Sequence, residues 1–197
     1  MAPLFRLHRP IAFIGASLPL LWLLVSGFGV SGLTLGPNPI REMLHFTGKT
    51  AVNLLMIALA LGLLSRASRD ARWLGSRRII GLFAFFYAAL HLTIYVALEL
   101  EFDFSDIARE FALRPYIIVG AAALLTLVPL AVTSTDRWMR RLGRRWTRLH
   151  ALIYPATALA LWHYAWQVKL DLLEPGLYAF AFLVLSWLRW RRVTNVN

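Results

Sequence analysis

Apolar runs of about twenty residues recur along this chain, separated by short stretches rich in arginine. About twenty residues is what an α-helix needs to cross a bilayer's hydrocarbon core of about 30 Å. Six such runs are read, at roughly 10–30, 44–64, 79–98, 115–132, 148–168 and 175–190. A soluble domain of 197 residues would alternate apolar and polar positions. Here hydrophobic residues make up 59% of the chain and the mean hydropathy is +0.61. The pattern predicts an all-α integral membrane protein, a six-transmembrane-helix bundle forming a single domain over 1–197. Six helices use most of the chain and leave no room for a second folded domain.

The formal net charge is +11, a value that elsewhere suggests nucleic acid. Nearly all of it is arginine placed between the apolar runs, which is topology signal rather than a phosphate-binding face. Of the 21 Lys and Arg, 16 fall in the N-terminus, the 65–78 loop, the 133–148 stretch and the C-terminal tail. The other five, Arg41, Lys49, Arg109, Arg114 and Lys169, lie on the opposite side. The positive-inside rule then puts both termini in the cytoplasm. The first run follows Arg6 and Arg9 as a signal peptide would. It is long for that, no clear A-x-A site follows, and it is kept as a helix.

Cysteine is absent, which excludes disulfides, iron–sulfur clusters and covalent c-type haem attachment. No GxGxxG or GxxxxGK[ST] stretch signals a nucleotide-binding domain. The longest outer loop, "ELEFDFSDIAREFALRP" (99–115), spaces Phe104, Ile107 and Phe111 by three and four, as on one face of a short helix. Such a helix would rest on the membrane surface. Asp103, Asp106 and Glu110 also make it an acidic face on which an external partner would dock.

Five histidines are present. His8 and His45 read as solvated or interfacial. His91 lies twelve residues into the third run, about 18 Å from its inner end, in the outer half. His163 lies in the outer half of the fifth run, which points the same way, so the two are expected level. His150 is about 20 Å lower, near the cytoplasmic surface. Polar side chains in hydrocarbon are costly and usually mark function. Two level imidazoles fit three roles: interhelical hydrogen bonding, a proton relay, or axial ligation of a cofactor metal. A zinc site wants more ligands than the membrane core offers. Haem iron needs one or two, and a bundle core with space beside Ala88, Ala89, Ala156, Ala158 and Ala160 can enclose the macrocycle.

A lower site is less complete. Fourteen residues before His91, close to the same helix face, stands Arg77, which has no lone pair for iron. Arg77 and Arg78 suit a propionate carboxylate or mark the cytoplasmic boundary. His150 and His163 sit about 140° apart on a straight helix, with Pro155 between them to kink it. A second haem there has no visible second ligand.

"RRIIGLFAFFYAALHLTIY", "LRPYIIVGAAALLTLVPLAVTS" and "RRLGRRWTRLHALIYPATALALWHYAW" occur in that order. In this order the chain resembles the MsrQ (YedZ) family, haem-binding membrane subunits of bacterial periplasmic methionine sulfoxide reductase systems. More distantly it is similar to ferric reductase-like transmembrane proteins and the membrane domain of NADPH oxidases. The resemblance implies a single ferric reductase-like transmembrane domain in the bacterial inner membrane. It implies haem b, one or two, with His91 and His163 as the axial pair. His150 would serve a second haem or donor-side chemistry. Flavin mononucleotide (FMN) is associated with the family, but no residues here identify its site. The implied partners are a periplasmic molybdopterin-containing catalytic subunit of the MsrP type as acceptor and quinol, or a cytosolic flavin reductase, as donor. With no dehydrogenase domain in 197 residues, electrons are expected from another molecule.

In this reading an electron reaches haem between the third and fifth helices and leaves outward past the 99–115 loop. Phe85, Phe86, Tyr87, Trp162 and Trp166 are candidates to pack the porphyrin. No nucleophile, molybdenum ligand or substrate pocket for sulfoxide chemistry is evident. Two rivals stand beside it. One is a histidine proton relay or small transporter without haem, against which stand the missing intramembrane carboxylates and inverted repeat. The other keeps the haem and reduces ferric or other metal ions instead.

Overall fold

The computed structural model describes residues 8–29, 35–70, 72–168 and 171–194, with only the backbone described at 192–194. Arg6 and Lys169, both used in the charge-based topology, lie outside the described residues. All regular structure among the described residues is helical: α1 His8–Gly27, α2 Pro39–Ala67, α3 Arg72–Ile94, α4 Phe104–Leu113, α5 Pro115–Val132, α6 Asp136–Leu142, α7 Arg144–Leu149, α8 Ile153–Gln167 and α9 Leu173–Thr194. A π-helical turn, Tyr95–Glu99, continues α3, and a 3-10 turn, His150–Leu152, leads into α8.

Among the described residues four helices are long and apolar enough to cross a membrane: α1, α2, α3 with its π turn, and α5. The remaining two runs of the six-span reading are helical but differ from it. Helix α8 has only 15 residues. Pro155, in its first turn, cannot donate to the Ala151 carbonyl and would clash with it. The chain answers with the 3-10 turn just before, so the expected disturbance falls ahead of the proline. Helix α9 has 22 residues but begins beside Glu174 and ends among Arg189, Arg191 and Arg192.

Local chemistry sets the ends. The Asn38 side chain accepts the Arg41 amide at 3.1 Å, and Pro39 opens α2 where no amide is needed. Asp103 caps α4, accepting the Ser105 amide at 2.7 Å and that of Asp106 at 3.3 Å. Helix α4 is the amphipathic turn expected in the outer loop. Its Glu110 carboxylate accepts the Tyr95 hydroxyl at 2.8 Å and pairs with Arg114 Nε at 2.9 Å. These bonds tie the loop to the ends of α3 and α5. Gly143 breaks the chain between α6 and α7 with φ 51° and ψ −122°, a conformation that a Cβ disfavours.

Small residues let the helices close. Ala16, Ala58, Ala84 and Ala156 are essentially inaccessible, with Leu55, Leu59 and Tyr87 packed among them. The Tyr87 hydroxyl donates to the Ala16 carbonyl at 2.9 Å, joining α3 to α1. Helices α2 and α3 share the largest interface, and α5 and α8 the next. Outward faces are as apolar as the core: Leu125, Phe180 and Leu183 are each more than 60% exposed. A surface of this kind is stable against lipid, not water. This is an integral membrane protein.

Candidate functional site

The start of α2, the end of α3, the start of α5 and the end of α8 border a cavity of about 470 Å³. Alanine and leucine side chains make most of its inner wall, including Leu55, Ala88, Leu127 and Ala160. His91, from α3, and His163, from α8, both border it. Their ring centroids are 6.3 Å apart and their planes meet at 81°.

Each imidazole meets a backbone carbonyl through Nδ1, and His91 Nδ1 also lies 3.5 Å from Thr47 Oγ1, itself bonded to the Leu44 carbonyl. His91 Nδ1 lies 2.9 Å from the Leu44 carbonyl oxygen, and His163 Nδ1 lies 2.6 Å from that of Tyr116. A carbonyl oxygen only accepts, so Nδ1–H is the donor in both rings. A neutral imidazole protonated at Nδ1 leaves the Nε2 lone pair free. That is the second-shell arrangement by which proteins orient histidine ligands and raise their basicity.

The rings lie close against two glycines. A Cβ built on Gly48 would meet His91 Nδ1 and Cε1 at 3.1 Å. One built on Gly120 would meet His163 Nδ1 at 2.8 Å and Cε1 at 2.9 Å. Neither glycine was singled out from sequence, although both lie four residues after the carbonyl that holds the ring. His45, read from sequence as solvated or interfacial, also lines the cavity.

The lining also carries charge: Arg41, Lys49 and Arg114, and the carboxylate of Glu99. Lys49 pairs with Glu174 at 2.5 Å and Arg114 with Glu110. Arg41 has no ion pair among the described residues.

The donor set decides what this place suits. Among the described residues no group of three or more His, Cys, Asp or Glu is arranged to hold a metal ion, so a zinc-type cage is not built here. Two imidazoles on opposite sides of one metal ion, each at a metal–nitrogen distance of roughly 2 Å, have their centroids about 6 Å apart. The observed 6.3 Å fits. The cavity's size is in the range for organic cofactors, and its apolar wall with the Arg41 guanidinium in its lining fits a macrocycle bearing carboxylates.

The other expected residues lie elsewhere. Arg77 packs on Gly62 of α2, at a recess of about 10 Å³ shared with Arg66, Tyr154 and Arg189. Arg78 pairs with Asp136 at 2.5 Å. Its guanidinium holds that carboxyl below the usual carboxylate range. His150 stacks on Trp146 at 3.8 Å, with Nδ1 3.2 Å from the Trp146 carbonyl and Nε2 3.5 Å from Ser134 Oγ. None of these three lines the cavity. Nor do Phe85, Phe86, Tyr87, Trp162 or Trp166, the aromatic groups considered for the porphyrin. Phe86, Trp162 and Trp166 point outward instead, and Tyr87 is engaged with α1.

The class that the fold and the site define is a polytopic helical membrane protein offering a level histidine pair with free Nε2 atoms. The family model described as "Ferric reductase like transmembrane component" matches residues 47–161, more than half of the chain. "Protein-methionine-sulfoxide reductase heme-binding subunit MsrQ" of Xanthomonas campestris pv. campestris (strain 8004) is 49% identical over 161 residues, 81% of this chain and 74% of that protein. Proteins of the same name are similar in Xanthomonas axonopodis pv. citri (strain 306), at 45% over 94% of this chain and 83% of theirs, and in Rhodospirillum rubrum, at 44% over 88% and 83%. The chain belongs to the ferric reductase-like transmembrane family and, within it, to the MsrQ haem-binding subunits.

Proposed function

We propose that this chain is the haem b-carrying electron-transfer subunit of a protein-methionine-sulfoxide reductase system. It spans the bacterial inner membrane six times as one domain, with both termini in the cytoplasm. It hands electrons from respiratory quinol to a periplasmic, molybdopterin-containing catalytic subunit of the MsrP type, which repairs oxidised proteins. A cytosolic flavin reductase is the other donor class, and FMN would belong to that route. The relatives' shared name supports the cofactor class and the existence of a catalytic partner. The observation that carries the reading is the facing pair His91 and His163, each fixed through Nδ1 with Nε2 left for a metal.

Haem bound there supplies one-electron redox chemistry that no side chain of the protein can. The chain's own groups do the rest. His91 and His163 hold the iron from two helices. Leu55, Ala88 and Leu127 keep water from the inner wall. Arg41 at the outer mouth would meet a propionate carboxylate with charge-assisted hydrogen bonds, with Lys49 and Arg114 beside it in their pairs with Glu174 and Glu110. This moves the propionate role from Arg77 and Arg78 to the rim. The inner arginines and His150 then serve the donor side, where a second haem would draw on His150.

Visible spectra of the purified protein, air-oxidised and dithionite-reduced, test the reading. Sharp reduced α and β bands are expected, lost in His91→Ala and His163→Ala and kept in His150→Ala, with about one haem per chain. Haem-free protein made under ample haem supply would sink the reading in favour of a proton relay. A ratio near two, halved by His150→Ala, would establish the inner haem.

A further inference from the structure

A histidine ring turns easily about its last side-chain torsion, which has broad minima. Something must therefore set the 81° between the planes of His91 and His163. Two segments of different helices do so by one device. In α2, Leu44 lies four residues before Gly48; in α5, Tyr116 lies four residues before Gly120. A helical side chain covers the turn N-terminal to its own Cα. Glycine leaves that turn bare, so the carbonyl four residues back is open from the side. Its second lone pair is then available to a neighbouring helix, beside the intrahelical bond it already accepts. His91 and His163 lie in these two notches and donate to these two carbonyls.

We infer that Gly48 and Gly120 are positioning residues for the axial ligands, and that the notches hold the two imidazole planes nearly perpendicular across the iron. The inference rests on the proposed haem pair. Perpendicular axial planes leave the iron's two ligand-facing dπ orbitals nearly equal in energy, which makes the ferric low-spin state strongly anisotropic. The carbonyl bonds raise the electron donation of both rings and favour ferric iron, so their loss raises the midpoint potential. The two notches are not equally tight. At Gly120 a methyl would sit 2.8 Å from the bonded Nδ1, a ring atom with no flexible end to swing away. At Gly48 the nearest approach is 3.1 Å, which a shift of a few tenths of an ångström relieves.

The experiment is electron paramagnetic resonance and redox titration on haem-loaded, purified full-length chain: wild type, Gly120→Ala, Gly48→Ala and Gly81→Ala. Gly81 lies on α3 with His91, and nothing is within 4 Å of its virtual Cβ, so it controls for glycine replacement itself. The expected wild-type signal is a single broad low-field feature, unchanged in Gly81→Ala. Gly120→Ala moves it to an ordinary rhombic low-spin or a high-spin signal and raises the midpoint potential; Gly48→Ala does so less. If Gly120→Ala does not accumulate, wild type and Gly48→Ala decide. A rhombic wild-type signal with haem bound overturns the perpendicular hold while leaving the haem reading intact. Glycine variants indistinguishable from wild type overturn the positioning role. Wild type that binds no haem fails the proposed function itself.

Discussion

Tyr87 brings a hydroxyl into the most crowded part of the bundle, where its bond to the Ala16 carbonyl spans 71 positions of sequence. Tyr87→Phe leaves the shape and removes the donor. A hydrogen bond of this kind contributes about 0.5–1.5 kcal/mol, and those measured between membrane helices fall toward the low end. The variant should lose that much in detergent unfolding while keeping the wild-type visible spectrum; a changed spectrum would mean that Tyr87 touches the haem site after all. At this scale the histidines were legible in sequence because an imidazole stands out in an apolar run. Gly48 and Gly120 were not, since glycine is common in membrane helices and shows no function by itself. The signal lay in pairing each glycine with a carbonyl four residues back, and only packing reveals which histidine meets it. The aromatic residues misled for a related reason. Phe86 and Trp162 are close to the histidines in sequence, but offsets of five and one put them on other faces of their helices.

Helix boundaries followed simple chemistry, and the run at 115–132 coincides with α5 because Pro115 and Pro129–Thr133 bracket it. The 148–168 run did not emerge as one helix. A proline's cost to the preceding carbonyl is readable, but whether a kink or a 3-10 turn absorbs it depends on packing around Trp146 and Ser134. Between α6 and α7, Gly143 occupies a region that side chains avoid at a cost of about 1–3 kcal/mol. Gly143→Ala should therefore lower stability by that amount, read by thermal unfolding, with the haem bands preserved. The same segment carries a pH-dependent tie. The folded-state pKa of Asp136 is depressed by its hydrogen bond and ion pair with Arg78. Its contribution is thus complete above the unfolded value of about 3.9 and is lost as pH falls through the lower folded value. Wild type and Asp136→Asn should differ at pH 7 and converge in strong acid; a difference that persists below both values would assign the effect to something other than this titration.

The whole molecule has no cysteine, so single introduced thiols can report topology without background. On the proposed orientation, Ser105→Cys in α4 reacts with an impermeant maleimide in cells whose outer membrane alone is permeabilised. Arg140→Cys in α6 reacts only after the inner membrane is opened. The reverse pattern would invert the bundle and put the cavity on the cytoplasmic face. Six apolar runs were readable because lipid demands continuous hydrophobic length; their assembly was not, because lipid tails give one apolar helix face no preference over another. That assembly has a consequence for how the protein matures. On the proposed haem site, one ligand histidine would be clamped to α2 within the tight α2–α3 pair, the other to α5 within the α5–α8 pair. Each pair completes half a binding site on its own. A cofactor gripped from both sides is then the keystone that locks one pair to the other, and binding that favours only the joined state stabilises it by mass action. Helices α3 and α5, and α2 and α8, already touch without the cofactor, so on the proposed site haem-free chains would keep the bundle but open along this seam more readily, as limited proteolysis of haem-free and haem-loaded protein would show.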